Sequence, residues 1–269
     1  DRPVGLAEYH QLICRSYWSI WNNEGGEKGK KMNSRLKEML LAGANQLQIE
    51  LDNHKISQID WLITNLIKTN QQFNLTAFKT EEEILVKHFF DSWTCCSAIK
   101  RPGRLVDVGA GAGYPGLALK IVRPDLEVTL VETVGKKARF IAECIEGLNL
   151  TEIQAKVGRA EELGKMTGWR ETYDYATCRA VGHLAIISEY CLPLLKRGGL
   201  LIAQKGREGE AEVKEASNGV RELGGRIEGI EWISLKEIPG RCLVLIRKIK
   251  DTPARFPRRV GIPAKRPLI

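Results

Sequence analysis

What the 269-residue chain lacks narrows it first. None of its seven cysteines (Cys14, Cys95, Cys96, Cys144, Cys178, Cys191 and Cys242) falls in a C-x-x-C pair, which argues against a zinc knuckle or a dithiol redox pair. Scattered and odd in number, they suit a reducing compartment and serve as small apolar residues. No stretch approaches the roughly 20 uninterrupted apolar residues of a membrane-spanning helix. The N-terminal segment shows no basic, apolar and small-residue succession like a secretory signal, so the expected place of action is the cytoplasm. Internal repeats and low-complexity tracts are missing too. Acidic residues are in deficit: 41 Lys and Arg face 33 Asp and Glu, a net charge of +8. That surplus points toward a polyanionic partner, yet a ribosome-associated factor, a membrane-surface protein and a merely basic protein all share it.

What is present reads as one globular domain with appendages, since 43% hydrophobic residues allow a sizeable core. Residues 1–31 carry Tyr17, Trp18 and Trp21 and end in a Gly- and Lys-rich linker, so they are expected to be an extension that adds little to the fold. Residues 32–100 read as a helical lead-in. Ile56, Ile59, Ile63, Leu66 and Ile67 recur at helical spacing, and Thr80 with Glu83 forms a capping box that opens a helix through Val86, Phe89, Phe90 and Trp93. From residue 101 to 249 short apolar runs alternate with helix-length segments. The runs are Leu105–Val108, Leu126–Glu132, Ile153–Val157, Tyr173–Cys178, Leu200–Gln204, Ile227–Leu235 and Cys242–Arg247. This is the α/β pattern of a seven-stranded, mostly parallel, doubly wound sheet, with the last two runs an antiparallel hairpin at one edge. Residues 250–269 form a basic tail.

The sharpest local feature is the strand Leu105–Val108 running into Gly109-Ala110-Gly111-Ala112-Gly113-Tyr114-Pro115-Gly116. Two cofactor classes compete for it. Gly111-x-Gly113-x-x-Gly116 matches the dinucleotide fingerprint of a nicotinamide oxidoreductase, but Gly111 comes three residues after the strand, late for that tight turn. Asp107-x-Gly109-x-Gly111-x-Gly113 instead places an acid in the strand's last turn, suited to the ammonium of S-adenosylmethionine, and lets the backbone approach a bulky ligand. Glu132, ending the next strand, can hold a ribose diol in either class.

Missing motifs also restrict the acceptor atom. The fourth strand ends Tyr175-Ala176-Thr177-Cys178-Arg179-Ala180, without the Asn/Asp-Pro-Pro-aromatic loop of exocyclic amine methylation. Cys178 lacks the Pro-Cys context of a cytosine C5 nucleophile and reads as a core residue. A guanine N7 lone pair carries no proton and needs no general base, so alignment supplies most of its catalysis.

Taken in order, the motifs resemble the RsmG (GidB) family of 16S ribosomal RNA guanine-N7 methyltransferases. The likeness covers residues 32–269 and rests on Phe73-Asn74-Leu75-Thr76, Lys87-His88-Phe89-Phe90-Asp91-Ser92, the Asp107–Gly116 loop, Gly135-Lys136-Lys137-Ala138-Arg139-Phe140, Gly158-Arg159-Ala160-Glu161-Glu162, Cys178-Arg179-Ala180 and Lys205-Gly206. The resemblance implies a class I Rossmann-like methyltransferase that takes S-adenosylmethionine as cofactor and 16S ribosomal RNA or the small ribosomal subunit as partner. It implies a cofactor pocket of Gly109, Tyr114, Glu132, Ala160 and Glu161 beside the adenine, and Arg179, to which the loop reading adds Asp107, Gly111 and Gly113. Arg179 and Lys205 are candidates to lie near the reacting base, without a certain catalytic residue. A monomer is expected, and a noncatalytic ribosome-binding protein of this fold remains the other alternative.

Several of these residues have plainer readings: Glu161 as a helix cap, Arg179 paired with Asp107 or Glu132, His88 with Asp91 as a buried polar pair, Lys205 as a solvated lysine. RNA contacts are expected from Lys136, Arg139 and Lys205. In the tail, prolines are expected to prevent regular structure, leaving Arg255, Arg258 and Arg259 for phosphates and Phe256 for a base to stack on, without building the cofactor site.

Overall fold

The structure, a computed structural model, describes residues 32–269. The expectation for residues 1–31 lies outside the described residues. Two helices open the described chain: α1 (Ser34–Gln46) and α2 (Asn53–Asn70), capped by Asn33 and Asp52, whose side chains accept from Leu36 N and Lys55 N. The Thr80–Glu83 capping box forms with both reciprocal bonds and starts α3 (Glu81–Ile84). The expected regular helix does not continue: Leu85–Phe90 is π-helical before α4 (Asp91–Trp93) resumes. This wider winding lets His88, Phe89, Phe90, Asp91, Ser92 and Trp93 all be buried in succession, which a 3.6-residue period would not give.

The rest alternates strand and helix: β1 (Gly103–Val108), α5 (Gly116–Val122), β2 (Leu126–Glu132), α6 (Gly135–Gly147), β3 (Ile153–Val157), α7 (Ala160–Leu163), β4 (Tyr173–Arg179), α8 (Leu184–Cys191), β5 (Leu195–Lys205), α9 (Gly209–Glu222), β6 (Gly225–Trp232), β7 (Cys242–Lys248) and α10 (Ile262–Lys265). All seven expected strands are present, in the order β3-β2-β1-β4-β5-β7-β6. β1 pairs in parallel with β2 and β4, while β7 lies antiparallel between β5 and β6. That inserted antiparallel strand separates the sheet from the 3-2-1-4-5-6 order of dinucleotide folds and gives the class I methyltransferase arrangement.

Alternate side chains of each strand feed two cores. Leu105, Leu130, Tyr175 and Ile202 face α2, the 84–93 segment, α5 and α6, so the helical lead-in encloses no separate core. Val106, Val108, Ala176, Cys178 and Val244 face α8, α9 and the C-terminal segment. Cys178 is wholly buried there, where a hydrogen bond with neighbouring Cys191 and burial raise its thiol pKa well above the ordinary value, as befits a packing residue. The order in which strands are added reverses between β1 and β4, two parallel neighbours, so the carboxyl ends of the strands open a cleft at this switch point.

Candidate active site

The glycine loop after β1 is shaped by its own main chain. Gly109 N and Ala110 N both donate to Val131 O, and the φ angles of Gly109, Gly111 and Gly113 are +74°, +60° and +93°, where a Cβ is strained. The three glycines do different jobs. A Cβ on Gly109 would stand 2.5 Å from Val181 and one on Gly113 2.3 Å from Leu117, so those positions serve packing. A Cβ on Gly111 would meet nothing closer than 4.0 Å and would occupy the cleft itself.

Two carboxylates hold this loop. Asp107 is fully buried, and its Oδ2 accepts from Gly116 N at 2.8 Å, tying strand end to helix start. Burial, only partly offset by the Gly116 amide and the Arg179 charge, raises its pKa to about 7. It does not line the cleft, which corrects the expectation of an ammonium contact: Asp107 shapes the loop from behind. Gly113 likewise stays out of the lining. Glu132, 6% exposed, does line it. Its Oε2 accepts from Gly111 N at 2.8 Å, and its Oε1 accepts from Thr133 N and Val134 N at 2.7 and 2.8 Å. Oε2 retains an acceptor site for a hydroxyl.

The cleft measures about 470 Å³, within the range of small-molecule sites. Gly109, Gly111 and Tyr114 form one side, Glu132 and Lys137 the next, Ala160, Glu161 and Tyr190 the third, and His88, Arg179 and Val181 the fourth. Glycine main chain, the Glu132 carboxylate with an acceptor site to spare and a second carboxylate at Glu161 fit the polar groups of S-adenosylmethionine.

On the fourth side the lead-in meets the sheet. Arg179 donates through Nη1 to Lys87 O at 2.8 Å and to Asp91 Oδ2 at 3.0 Å, and through Nη2 to His88 Nδ1 at 2.8 Å. It therefore pairs with Asp91 and not with Asp107 or Glu132, because the π-helical turn brings His88 and Asp91 over the end of β4. Since His88 Nδ1 accepts, its Nε2–H donates to Thr76 Oγ1 at 2.9 Å, and both ring nitrogens are engaged. Burial, helped by the Arg179 charge, lowers the His88 pKa to about 3. The neutral imidazole stacks on Tyr114 at 4.3 Å between centroids. Arg241 joins Asp91 from the far side, Nε to Oδ1 at 2.7 Å. Sequence reasoning missed Arg241, which only a turn before β7 precedes, and Lys137, which stood unremarked beside Lys136.

The remaining expectations divide. Lys136 and Arg139 are exposed on α6, and the Lys136 ammonium lies 5.9 Å over the ring of Phe73, itself 44% exposed. Lys205 is neither solvated nor at the cleft. It pairs with Glu212 at 2.6 Å and donates to Gly182 O at 2.8 Å, because α9 packs an acid against the end of β5.

The tail is corrected most. Phe256 is 3% exposed in the second core, so no base can stack on it. Arg258 grips the fully buried Glu189 carboxylate at 2.6–3.0 Å, and Arg255 pairs with Glu222 at 2.9 Å. Among the described residues, only Arg259 of the four named is exposed with no ion pair to another described residue. Nor do the prolines prevent regular structure, since Pro263 sits in the first turn of α10. The tail also reaches the cleft: Ala264 lines it, and Gly261 N donates to Glu161 Oε1 at 3.0 Å. Glu161 thus caps no following helix; its carboxylate reaches the tail from within α7.

Among the described residues no helix is long and apolar enough to cross a membrane. A family profile described as rRNA small subunit methyltransferase G matches residues 55–233. Proteins of the name Ribosomal RNA small subunit methyltransferase G are similar along nearly their whole lengths. That of Desulforamulus reducens is 42% identical over 232 residues, covering 85% of this chain and 97% of its own. That of Pelotomaculum thermopropionicum is 44% identical over 241 residues, covering 87% and 100%. That of Roseiflexus sp. (strain RS-1) is 43% identical over 232 residues, covering 86% and 99%. With the sheet order, the cleft and these likenesses in agreement, the chain belongs to the rRNA small subunit methyltransferase G family and is an S-adenosylmethionine-dependent enzyme acting on ribosomal RNA.

Proposed function

We propose that the chain transfers the methyl group of S-adenosylmethionine to N7 of a guanine in the decoding-region loop of 16S small-subunit ribosomal RNA, as a cytoplasmic monomer. The observation that carries the acceptor atom is the engaged state of His88, the imidazole that lines the cleft among the described residues. His88 spends Nδ1 on Arg179 and Nε2–H on Thr76, and its lowered pKa keeps it neutral, so it cannot take a proton from an amine. A guanine N7 lone pair has no proton to give up. What the reaction needs instead is alignment, and this side of the cleft is built for rigidity: Arg179, His88, Tyr114, Asp91 and Thr76 are locked together through two hydrogen bonds of His88, an ion pair and a ring stack.

The bound donor supplies an electrophilic methyl group on a sulfonium. Around it, Gly109 and Gly111 permit close main-chain approach, Glu132 accepts from the ribose diol, and Ala160 and Glu161 border the adenine. Among the described residues Arg179 keeps N–H donors beyond its three bonds, suited to the guanine O6 next to N7. Lys136, Arg139 and Arg259, all exposed, offer phosphate contacts that position the loop. Mapping N7-methylguanine in 16S RNA from cells with and without this protein tests the reading, and an unchanged map would overturn it. Calorimetry with S-adenosylmethionine and NAD in parallel separates it from the oxidoreductase alternative, which requires NAD to bind.

A further inference from the structure

We propose that the C-terminal segment 256–264 is a built wall of the donor site, with the Gly261 main-chain amide as a positioning group that turns Glu161 toward the adenine amine. This rests on reading the cleft as the donor site. Glu161 is 4% exposed and lines the cleft from α7. Its Oε1 accepts from Gly261 N at 3.0 Å, and among the described residues no hydrogen bond is made to Oε2. A carboxylate with one oxygen fixed by a main-chain amide and the other unspent presents a single oriented acceptor, which suits an exocyclic amine and not another anion. Gly261 meets the geometry with φ +79°, a conformation that a side chain would strain.

The amide is held in place by a chain of buried anchors. Phe256 packs in the second core, and Arg258 closes on Glu189 through its guanidinium and its own main-chain N at 2.8 Å. Arg170 donates to Phe256 O and Gly164 O, both at 2.8 Å, and also to Thr252 O, stitching the segment to the loop after α7. A Cβ on Gly164 would stand 3.0 Å from Pro257, so the segment lies close against that loop. From there α10 brings the exposed Ala264 to the cleft rim. The same anchors that remove Phe256 and Arg258 from RNA recognition place Gly261 and Ala264 at the cofactor.

Calorimetry with S-adenosylhomocysteine, and with its analogue lacking the adenine 6-amino group, tests the wall and the amide separately. Three chains are compared with the full-length protein: a truncation after Val260, Ala264→Phe, and Gly111→Val as control. The full-length chain should prefer S-adenosylhomocysteine over the analogue by about tenfold, the size of one hydrogen bond to a charged group. Truncation should weaken S-adenosylhomocysteine by about tenfold or more and erase the preference, while Ala264→Phe should weaken both ligands alike at an unchanged Tm. A folded truncation with unaltered affinity and preference would overturn the proposal. Should truncation unfold the chain, undiminished affinity in Ala264→Phe would overturn the wall. If Gly111→Val abolishes binding while the other variants do not change it, only the C-terminal wall fails; if Gly111→Val leaves binding intact, the donor-site reading fails with it.

Discussion

The glycine loop and the C-terminal segment border the same cleft, yet they are held in opposite ways. The loop closes on partners near in sequence: Gly116 N on Asp107, 9 residues back, and Gly111 N on Glu132, 21 residues on. The C-terminal segment closes on partners far away: Arg258 on Glu189, 69 residues back, and Gly261 N on Glu161, 100 residues back. The first kind of site writes its requirements into adjacent residues, as left-handed glycines and an acid one strand-turn before them. The second leaves in sequence only a run of cations, whose acids belong to other helices.

The largest effect should come from the loop. Gly111→Val places a branched side chain where a Cβ has nothing but the cleft around it, at a φ of +60° that valine resists. Donor affinity should fall by at least about a hundredfold while the sheet still forms, measured by calorimetry beside circular dichroism. Retained affinity in a folded variant would move the donor away from this loop.

Next is the anchor of the tail. Arg258→Ala leaves the fully buried Glu189 carboxylate with only the main-chain N–H of residue 258, and breaking such a pair from one side costs about 3–5 kcal/mol of stability. Urea unfolding checks it. A loss below about 1 kcal/mol, the range of exposed pairs, would return the tail to the free arm that its composition suggests.

The same contrast explains how far the sequence could be read. The seven strands, the Thr80–Glu83 box and the glycine loop were legible because each rests on short-range periodicity or turn chemistry. The π-helical turn at Leu85–Phe90 was not, because the apolar run Val86, Phe89, Phe90 and Trp93 fits an ordinary helix and the extra residue per turn is imposed by packing. Arg179 was placed at the cleft, but its carboxylate was misassigned: Asp107 and Glu132 are near in the sheet, whereas Asp91 arrives from the lead-in. Asp107, singled out as a ligand, is the buried staple behind the loop, since the loop after β1 brings Gly116 N onto its carboxylate. Phe256 was read as a platform because nothing in a Pro-flanked aromatic distinguishes a ring that stacks on a base from one that enters a core.

A third effect probes whether the loop is as local as its hydrogen bonds indicate, because Tyr114 in it leans on His88 of the lead-in. The folded imidazole has a pKa of about 3 against an ordinary 6.5, so the unfolded chain takes up the proton first as pH falls. Stability from this residue is therefore complete above about pH 6.5 and is lost progressively toward pH 3, reaching about 2 kcal/mol by pH 5. His88→Gln keeps an acceptor for Arg179 and a donor for Thr76 but carries no titrating group. Its loss of stability between pH 7 and pH 5 should be smaller than that of the native chain by about that amount. Equal losses in both would mean that His88 is not held neutral against the loop.

The smallest effect separates the tail's anchors from its ornaments. Arg255 pairs with Glu222 at 2.9 Å, within the 2.6–3.0 Å over which Arg258 holds Glu189, but the two side chains are 66% and 42% exposed. Distance alone would rank the pairs together; burial sets them apart, because in water the Coulomb gain is screened and offset by ordering two long side chains. The Arg255 guanidinium also lies 5.0 Å over the Phe256 ring, which adds a little shielding to a residue whose core packing is already complete. Arg255→Ala should thus cost about 0.2–1 kcal/mol in urea unfolding, several times less than Arg258→Ala, and should leave donor affinity unchanged. Because the Arg255 charge is shared with Glu222, the slope of RNA affinity against salt should fall by less than the about one unit expected when an unpaired phosphate contact such as Arg259 is removed. A full-unit drop for Arg255→Ala would show that the guanidinium leaves Glu222 for a phosphate, and that this part of the segment is an RNA arm after all.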